Sequence, residues 1–255
     1  MSHIMSPASP ADTTLDRLLG GRVVLNQRTQ GYRAGLDAAL LAAACDAAPG
    51  ARVLEAGCGA GGALLCAAIR RPGAQFVGVE RDGPDAELAR ANAATNQMAD
   101  RVTILLGDVT APFAKLALPA FDAVMANPPF FDDPKALRAP GLAKRGAWMA
   151  DGGLAAWTDF VSKAARGGGS ITMIHRADRL GDLITLLSPK AGSFQILPIH
   201  PFADAPAKRV LVRAIKTGKA PLQILPPLVL HPREGAKYTV KAEAILRGEA
   251  ALAWL

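Results

Sequence analysis

The run Asn127-Pro128-Pro129-Phe130 is the pattern in this chain best suited to chemistry on an amino group. Neither proline donates a backbone N–H and each fixes its own φ, so no helix or central strand continues through it. The chain must turn stiffly there. The turn offers the Asn127 side-chain oxygen and the Pro128 carbonyl as neighbouring acceptors, with no backbone donor at 128 or 129 to compete for them. Two acceptors suit the two protons of an NH2 group. Phe130 adds a face on which a planar base could stack, worth about 1–3 kcal/mol per base. Asn and Pro also favour ordinary turns for conformational reasons, so the tetrapeptide alone leaves both readings open.

A second pattern shifts the balance toward chemistry. Val53-Leu54-Glu55-Ala56 leads into Gly57-Cys58-Gly59-Ala60-Gly61-Gly62, a short apolar strand entering a glycine-rich turn and then a helical stretch. Glycines let backbone approach a ligand, and the first N–H groups of the following helix have no partner within it. A dinucleotide loop has the same outline, with an acid about twenty residues on for a ribose, a spacing that Glu80 fits. Glu55, however, lies at the strand end, inside the turn, where a carboxylate repels a pyrophosphate and attracts a cation. S-adenosylmethionine carries a positive sulfur and an ammonium group but no phosphate. Glu55 therefore favours it over NAD.

These residues need a frame that gathers them. Short apolar runs at 52–56, 75–80, 102–106, 121–126, 169–174, 194–199 and 209–215 alternate with helical stretches at 35–46, 62–71, 84–96, 153–166 and 178–188. Such alternation predicts an α/β fold, a doubly wound Rossmann-like sheet of seven mostly parallel strands with an antiparallel edge strand. Ligands of open sheets gather outside the carboxyl ends of the strands, where Glu55, Glu80, Asp108 and Asn127 all fall. Residues 1–14 are expected to form a mobile tail, and residues 15–255 a single domain with an appendage from about 221 that ends in a helix near 239–248.

Composition agrees with one sizeable domain: 255 residues, half of them apolar. Cys45, Cys58 and Cys66 lie in apolar or small-residue contexts, with no CxxC pair, and read as reduced structural thiols. With no secretory signal or membrane-spanning run, they predict a soluble cytoplasmic protein. His175, His200 and His231 lack partners at metal-ligand spacing, so no metal is expected. Trp148 and Trp157 suit packing better than stacking, although Trp148 follows Lys144-Arg145 and could border a nucleic acid.

Charge is unevenly placed. Residues 1–126 hold 11 Lys and Arg against 12 Asp and Glu, whereas residues 127–241 hold 17 against 8. Lys135, Arg138, Lys144 and Arg145 follow the proline turn, and Lys208, Arg209, Arg213, Lys216 and Lys219 crowd one later strand and loop. Solvated cations of this kind can serve solubility alone. Their clustering around the proposed amino-group pocket favours phosphate contacts and an RNA partner.

Leu19-Gly20-Gly21-Arg22, Gln27 and Gly31-Tyr32-Arg33-Ala34-Gly35-Leu36-Asp37, together with the Glu55 loop and the Asn127 turn, resemble the bacterial tRNA1(Val) (adenine-37-N6)-methyltransferases of the methyltransferase small domain group. The resemblance continues through Lys208-Arg209-Val210-Leu211-Val212 and Pro226-Pro227-Leu228-Val229-Leu230-His231. The glycine loop is general to class I methyltransferases; the Asn-Pro-Pro-aromatic turn is shared by enzymes acting on adenine N6, cytosine N4, guanine N2 and glutamine amides. The resemblance implies that Glu55, Gly57, Gly59 and Gly61 hold the methionine part of S-adenosylmethionine, Glu80 the ribose and Asp108 the adenine. It further implies that Tyr32, Arg33 and Asp37 cover the cofactor, that Asn127 also borders it, and that Asn127, Pro128, Pro129 and Phe130 hold the target amine. Many relatives have Tyr where this chain has Phe130. A tRNA is the implied partner, and a homodimer is compatible with the sequence. An rRNA guanine-N2 or protein glutamine-N5 enzyme is the alternative, and a non-catalytic RNA-binding relative the non-enzymatic one; the latter has little reason to keep both Glu55 and the Asn127 turn.

Overall fold

The structure, a computed structural model, describes residues 13–129 and 153–254. Its centre is a sheet whose strands are β3 (Arg52–Ala56), β4 (Gln75–Glu80), β5 (Val102–Leu106), β6 (Phe121–Ala126), β7 (Ala165–Arg176), β8 (Ala191–His200) and β9 (Arg209–Lys216), with two short segments, β10 (Gln223–Ile224) and β11 (Leu228–Val229). The order across the sheet is β10-β8-β9-β7-β6-β3-β4-β5, and β11 also pairs with β8. Strands β5, β4, β3, β6 and β7 run parallel.

The seven expected strands are all present. The antiparallel one, β9, does not lie at an edge, however: it is clamped between β7 and β8. Sequence spacing could not place it, because β8 returns to the same direction as β7 and leaves a gap that only β9 fills. Helix α4 (Gly153–Ala164) stops two residues short of the expected 166, and β7 begins at once, with its register against β6 shifted between Ala165 and Ser170. Three glycines at 167–169 absorb that shift, which is why the strand signal started late.

Alternating side chains split the core in two. Val53, Phe76, Ile104 and Met125 face α1 (Leu36–Ala43), α2 (Gly62–Arg70), α3 (Gly83–Thr95) and α6 (Val240–Arg247). Leu54, Val79, Val124 and Ile171 face α4 and α5 (Leu180–Leu187). Both faces being covered explains why these strands read as continuous apolar runs. The C-terminal stretch folds back on α1: Arg70 donates to the carbonyls of Ile245 and Ala250, Arg22 to that of Arg247, and Trp254 Nε1 to Ala44 O at 2.8 Å.

The sequence reading had no counterpart for a two-stranded sheet of β1 (Thr13–Leu18) and β2 (Val23–Arg28). One edge of β2 pairs with β1. Its other edge is met by side chains of α3: Asn92 exchanges hydrogen bonds with the N–H and C=O of Asn26, both 2.9 Å, and Asn96 does the same for Val24 at 2.9 and 2.7 Å. The match is geometric, since four helical residues rise ~6 Å and two strand residues ~6.7 Å. Asn92 is fully buried and also donates to Ala60 O in the glycine loop. Asn92→Ala strands three backbone groups and is expected to cost about 2–4 kcal/mol, measured as a lower urea midpoint with unchanged slope.

Candidate active site

The adjacent strands β6, β3, β4 and β5 bring Asn127, Glu55, Glu80 and Asp108 to one rim, in that order, at the carboxyl ends. At ~4.8 Å per strand the row spans about 14 Å. The chain leaves β3 toward β4 on one side while β6 flanks it on the other, which is the crevice where open sheets bind ligands.

Glu55 is buried, 3% exposed, on the α2 side of the sheet. Burial pushes its carboxyl well above its ordinary 4.5; the Leu64 N–H in the first turn of α2 pulls the other way, and the Glu80 charge pushes it further up. Its Oε2 has no hydrogen-bond partner. A buried carboxylate with an open oxygen is a socket for a cation, and the ammonium of an amino acid fits it.

Glu80 accepts from Gly59 N at 2.8 Å through one oxygen and from Arg81 N and Asp82 N, each at 2.8 Å, through the other. It braces the glycine loop, and of about four lone-pair sites one stays open to a ligand. Asp108 is capped by the N–H and hydroxyl of Thr110, both 2.8 Å, with Arg81 at 3.5 Å. Partial burial pushes its carboxyl up, but these donors outweigh it and hold it below the usual range.

The loop has no room for side chains at two points. A Cβ on Gly57, which adopts φ +66°, falls 2.2 Å from the Trp157 ring. On Gly62 it falls 2.2 Å from the Ala34 Cβ. Trp157, 7% exposed, therefore packs beneath the loop rather than offering a face to a base. Gly57→Ala combines left-handed strain of about 1 kcal/mol with that collision, and is expected to lower the melting temperature by several degrees and to abolish cofactor binding in calorimetry.

The Gly31–Gly35 stretch is pinned to the hairpin. Gln27, 2% exposed, accepts from Ala34 N at 2.6 Å and donates to Ala34 O and Asp16. Arg33 turns toward the hairpin, pairing with Asp16 and donating to Thr14 Oγ1 at 2.7 Å and Arg28 O at 3.0 Å. These bonds make it an anchor of the stretch that carries Tyr32. Tyr32 is 60% exposed, yet its hydroxyl accepts from Asn127 Nδ2 at 2.6 Å. Asn127 Oδ1 is buried and unpartnered. Asp37, in the first turn of α1, is paired with Arg209 at 3.1 Å.

That pair changes the reading of the basic cluster. Arg209 holds Asp37, Arg213 holds Asp46 and lies over the Trp254 ring, and Lys216 Nζ donates to Ala165 O at 2.6 Å. Carboxylates and carbonyls distant in sequence claim these cations, which charge counting cannot see. Lys208 is exposed. Phe130, Lys135, Arg138, Lys144, Arg145 and Trp148 lie outside the described residues. Burial pushes the Cys45 and Cys66 thiols up to about 11 and about 12, as suits packed thiols. Among the described residues no cluster of His, Cys, Asp or Glu could hold a metal, and no helix is long and apolar enough to cross a membrane.

Sheet order, glycine loop and strand-end acids together are those of a class I S-adenosylmethionine-dependent methyltransferase fold. Residues 33–140 match the methyltransferase small domain family, and S-adenosylmethionine is the cofactor. A predicted O-methyltransferase from Agrobacterium tumefaciens is 28% identical and superposes with a TM-score of 0.72 over 86% of this chain and 99% of that one. A tRNA1(Val) (adenine-37-N6)-methyltransferase from Porphyromonas gingivalis is 35% identical over 125 residues, 47% of this chain and 48% of that protein. A release factor glutamine methyltransferase from Chlorobaculum tepidum is 28% identical over 95 residues, 37% of this chain and 32% of that protein. The chain thus spans about half the length, or less, of the curated relatives it matches.

Proposed function

We propose that the protein methylates an exocyclic amino group of a nucleobase, adenine N6 in a tRNA. The observation that carries this reading is the buried, unpartnered Asn127 Oδ1 on the same rim as Glu55. A buried acceptor left without a donor is unfavourable by about 1–3 kcal/mol, so it persists where a ligand supplies the donor. The Pro128 carbonyl is its neighbour, and no N–H at 128 or 129 competes for either acceptor.

When bound, S-adenosylmethionine supplies a methyl group on a cationic sulfur that departs as a neutral thioether. Glu55 would receive its ammonium group, Glu80 a ribose hydroxyl and Asp108 the adenine edge. Asn127 and Pro128 would accept both protons of the target amine. That favours a pyramidal nitrogen, frees the lone pair otherwise delocalised into the ring, and orients it for in-line attack. Orientation of this kind supplies much of a rate enhancement. No strong base is required, since the proton leaves to water after nitrogen becomes cationic.

The Porphyromonas relative supports tRNA adenine as substrate. The glutamine methyltransferase likeness keeps an amide nitrogen in play, because the same pair of acceptors serves any planar NH2. The basic excess after residue 126, apart from Arg209 and Arg213, which pair with Asp37 and Asp46, favours RNA. Incubation with labelled S-adenosylmethionine, total RNA and total protein tests the choice. N6-methyladenosine in the tRNA fraction is the expected product; label in guanine or in protein alone overturns the substrate.

A further inference from the structure

Tyr32 is carried by the pinned Gly31–Gly35 stretch and is largely exposed. Its hydroxyl, however, meets the amide of Asn127 at 2.6 Å, across 95 positions of sequence, and that amide carries the unpartnered Oδ1. We propose that Tyr32 is a positioning residue: its phenol oxygen holds the Asn127 Nδ2 group and so turns Oδ1 toward the substrate amine. This rests on the amine-methylating role proposed for Asn127.

The need for such a residue follows from the chemistry of an amide. Its oxygen and nitrogen occupy nearly the same space, and rotation by half a turn about χ2 exchanges them. Turned the wrong way, Asn127 presents two protons to a substrate NH2 that has protons of its own, and the pocket repels what it should bind. Something must hold the orientation. Among the described residues, Tyr32 is the recorded partner of that amide.

A phenol can donate as well as accept, so its own proton must be sent elsewhere. The Asp37 and Glu55 charges both act on this hydroxyl. Both make the Tyr32 phenol a weaker acid, after the larger effect of burial at its hydroxyl, while the bond from Asn127 acts in the opposite sense. The phenol stays protonated, and its oxygen accepts from Nδ2. Asp37 is in turn fixed by Arg209 at 3.1 Å. The backbone under Tyr32 is equally constrained, because Gln27 grips Ala34 on both its N–H and C=O and Arg33 is bound to Asp16, Thr14 and the Arg28 carbonyl. Hydrogen bonds in such a row polarise one another, so the donor that Asn127 gives to Tyr32 strengthens its oxygen as an acceptor.

Tyr32→Phe keeps the ring, and any cover it gives the cofactor, while removing the hydroxyl. Turnover on the tRNA substrate is expected to fall about 10–100-fold, with the tRNA KM and the S-adenosylmethionine Kd each within about threefold of the parent. A second readout is independent of turnover. In 15N-labelled protein the side-chain amide pair of Asn127, assigned by its loss in Asn127→Ala, should shift and exchange faster with solvent in Tyr32→Phe. Turnover within twofold of the parent, or an unmoved Asn127 amide pair, overturns the proposal. So does a loss that appears wholly as weaker cofactor affinity, which makes the hydroxyl a cofactor contact. If the parent methylates no RNA, the functional reading fails and the amide resonances still decide whether Tyr32 holds Asn127.

Discussion

Asn127→Ala is expected to lower turnover about 10²–10³-fold and to leave S-adenosylmethionine affinity within about threefold. The magnitude is that of removing one fixed hydrogen-bonding group from a site built around developing charge. Cofactor binding should survive because Glu55, Glu80 and Asp108 sit on three other strands of the rim. Stability should hold or rise, since the deleted oxygen is already buried without a donor and the lost bond goes to a phenol on an exposed residue. Single-turnover kinetics, calorimetry and a thermal melt on one preparation check all three. Near-normal turnover would remove Asn127 from the mechanism, and a loss of cofactor affinity equal to the loss of rate would move it to the cofactor pocket.

Glu55→Gln has the second large effect, and its two consequences have opposite signs. S-adenosylmethionine affinity should fall about 10–100-fold, because a charge-assisted contact becomes a neutral one in a buried site. The cofactor-free protein should become more stable, because an unpaired carboxylate is no longer held away from water. The pH dependence follows from the upward shift of the Glu55 carboxyl. A raised folded value means that its contribution to stability is intact below the unfolded value near 4.5 and is lost as pH rises through the folded value. The melting temperature of the parent should therefore fall behind that of Glu55→Gln as pH climbs above 4.5, while the two converge in acid. Over the same window cofactor affinity should strengthen in the parent, as the carboxylate ionises, and stay flat in the variant. Parallel melts and titrations at several pH values separate these outcomes.

The strands and helices that build the rim were legible because each carries its own signal. β3 to β6 are runs such as Val53-Leu54 and Ala123-Val124-Met125, apolar on both faces and bounded by turn residues, and strand-end placement of Glu55, Glu80, Asp108 and Asn127 followed from their positions. The hairpin was not legible. Thr13–Leu18 buries none of its side chains fully, and one edge of β2 is met by Asn92 and Asn96, residues whose role appears only when α3 lies beside it. The two-residue strands β10 and β11 hold a register through β8 and have no periodicity of their own. At the site the same division recurs. Spacing and charge sign suggested Glu55, whereas the diversion of Arg33 to Asp16, of Arg209 to Asp37 and of Arg213 to Asp46 depends on contacts between segments far apart in the chain. Gln27 and Trp157 have structural tasks under the motif residues that residue type alone does not announce.

The inward position of β9 has a consequence for variation in this protein. Its alignment is fixed on both flanks, by pairs from Ser170↔Ile215 to Arg176↔Arg209 on one side and from Ala191↔Lys216 to Ile199↔Arg209 on the other. A strand anchored twice does not depend on the connection that feeds it, so residues 201–208 can lengthen, shorten or change composition without slipping the sheet. Because β9 runs against its neighbours, that connection opens onto the side where the other strands finish. The chain thus has a stretch in which new specificity can arise by insertion or deletion while the catalytic frame keeps its dimensions.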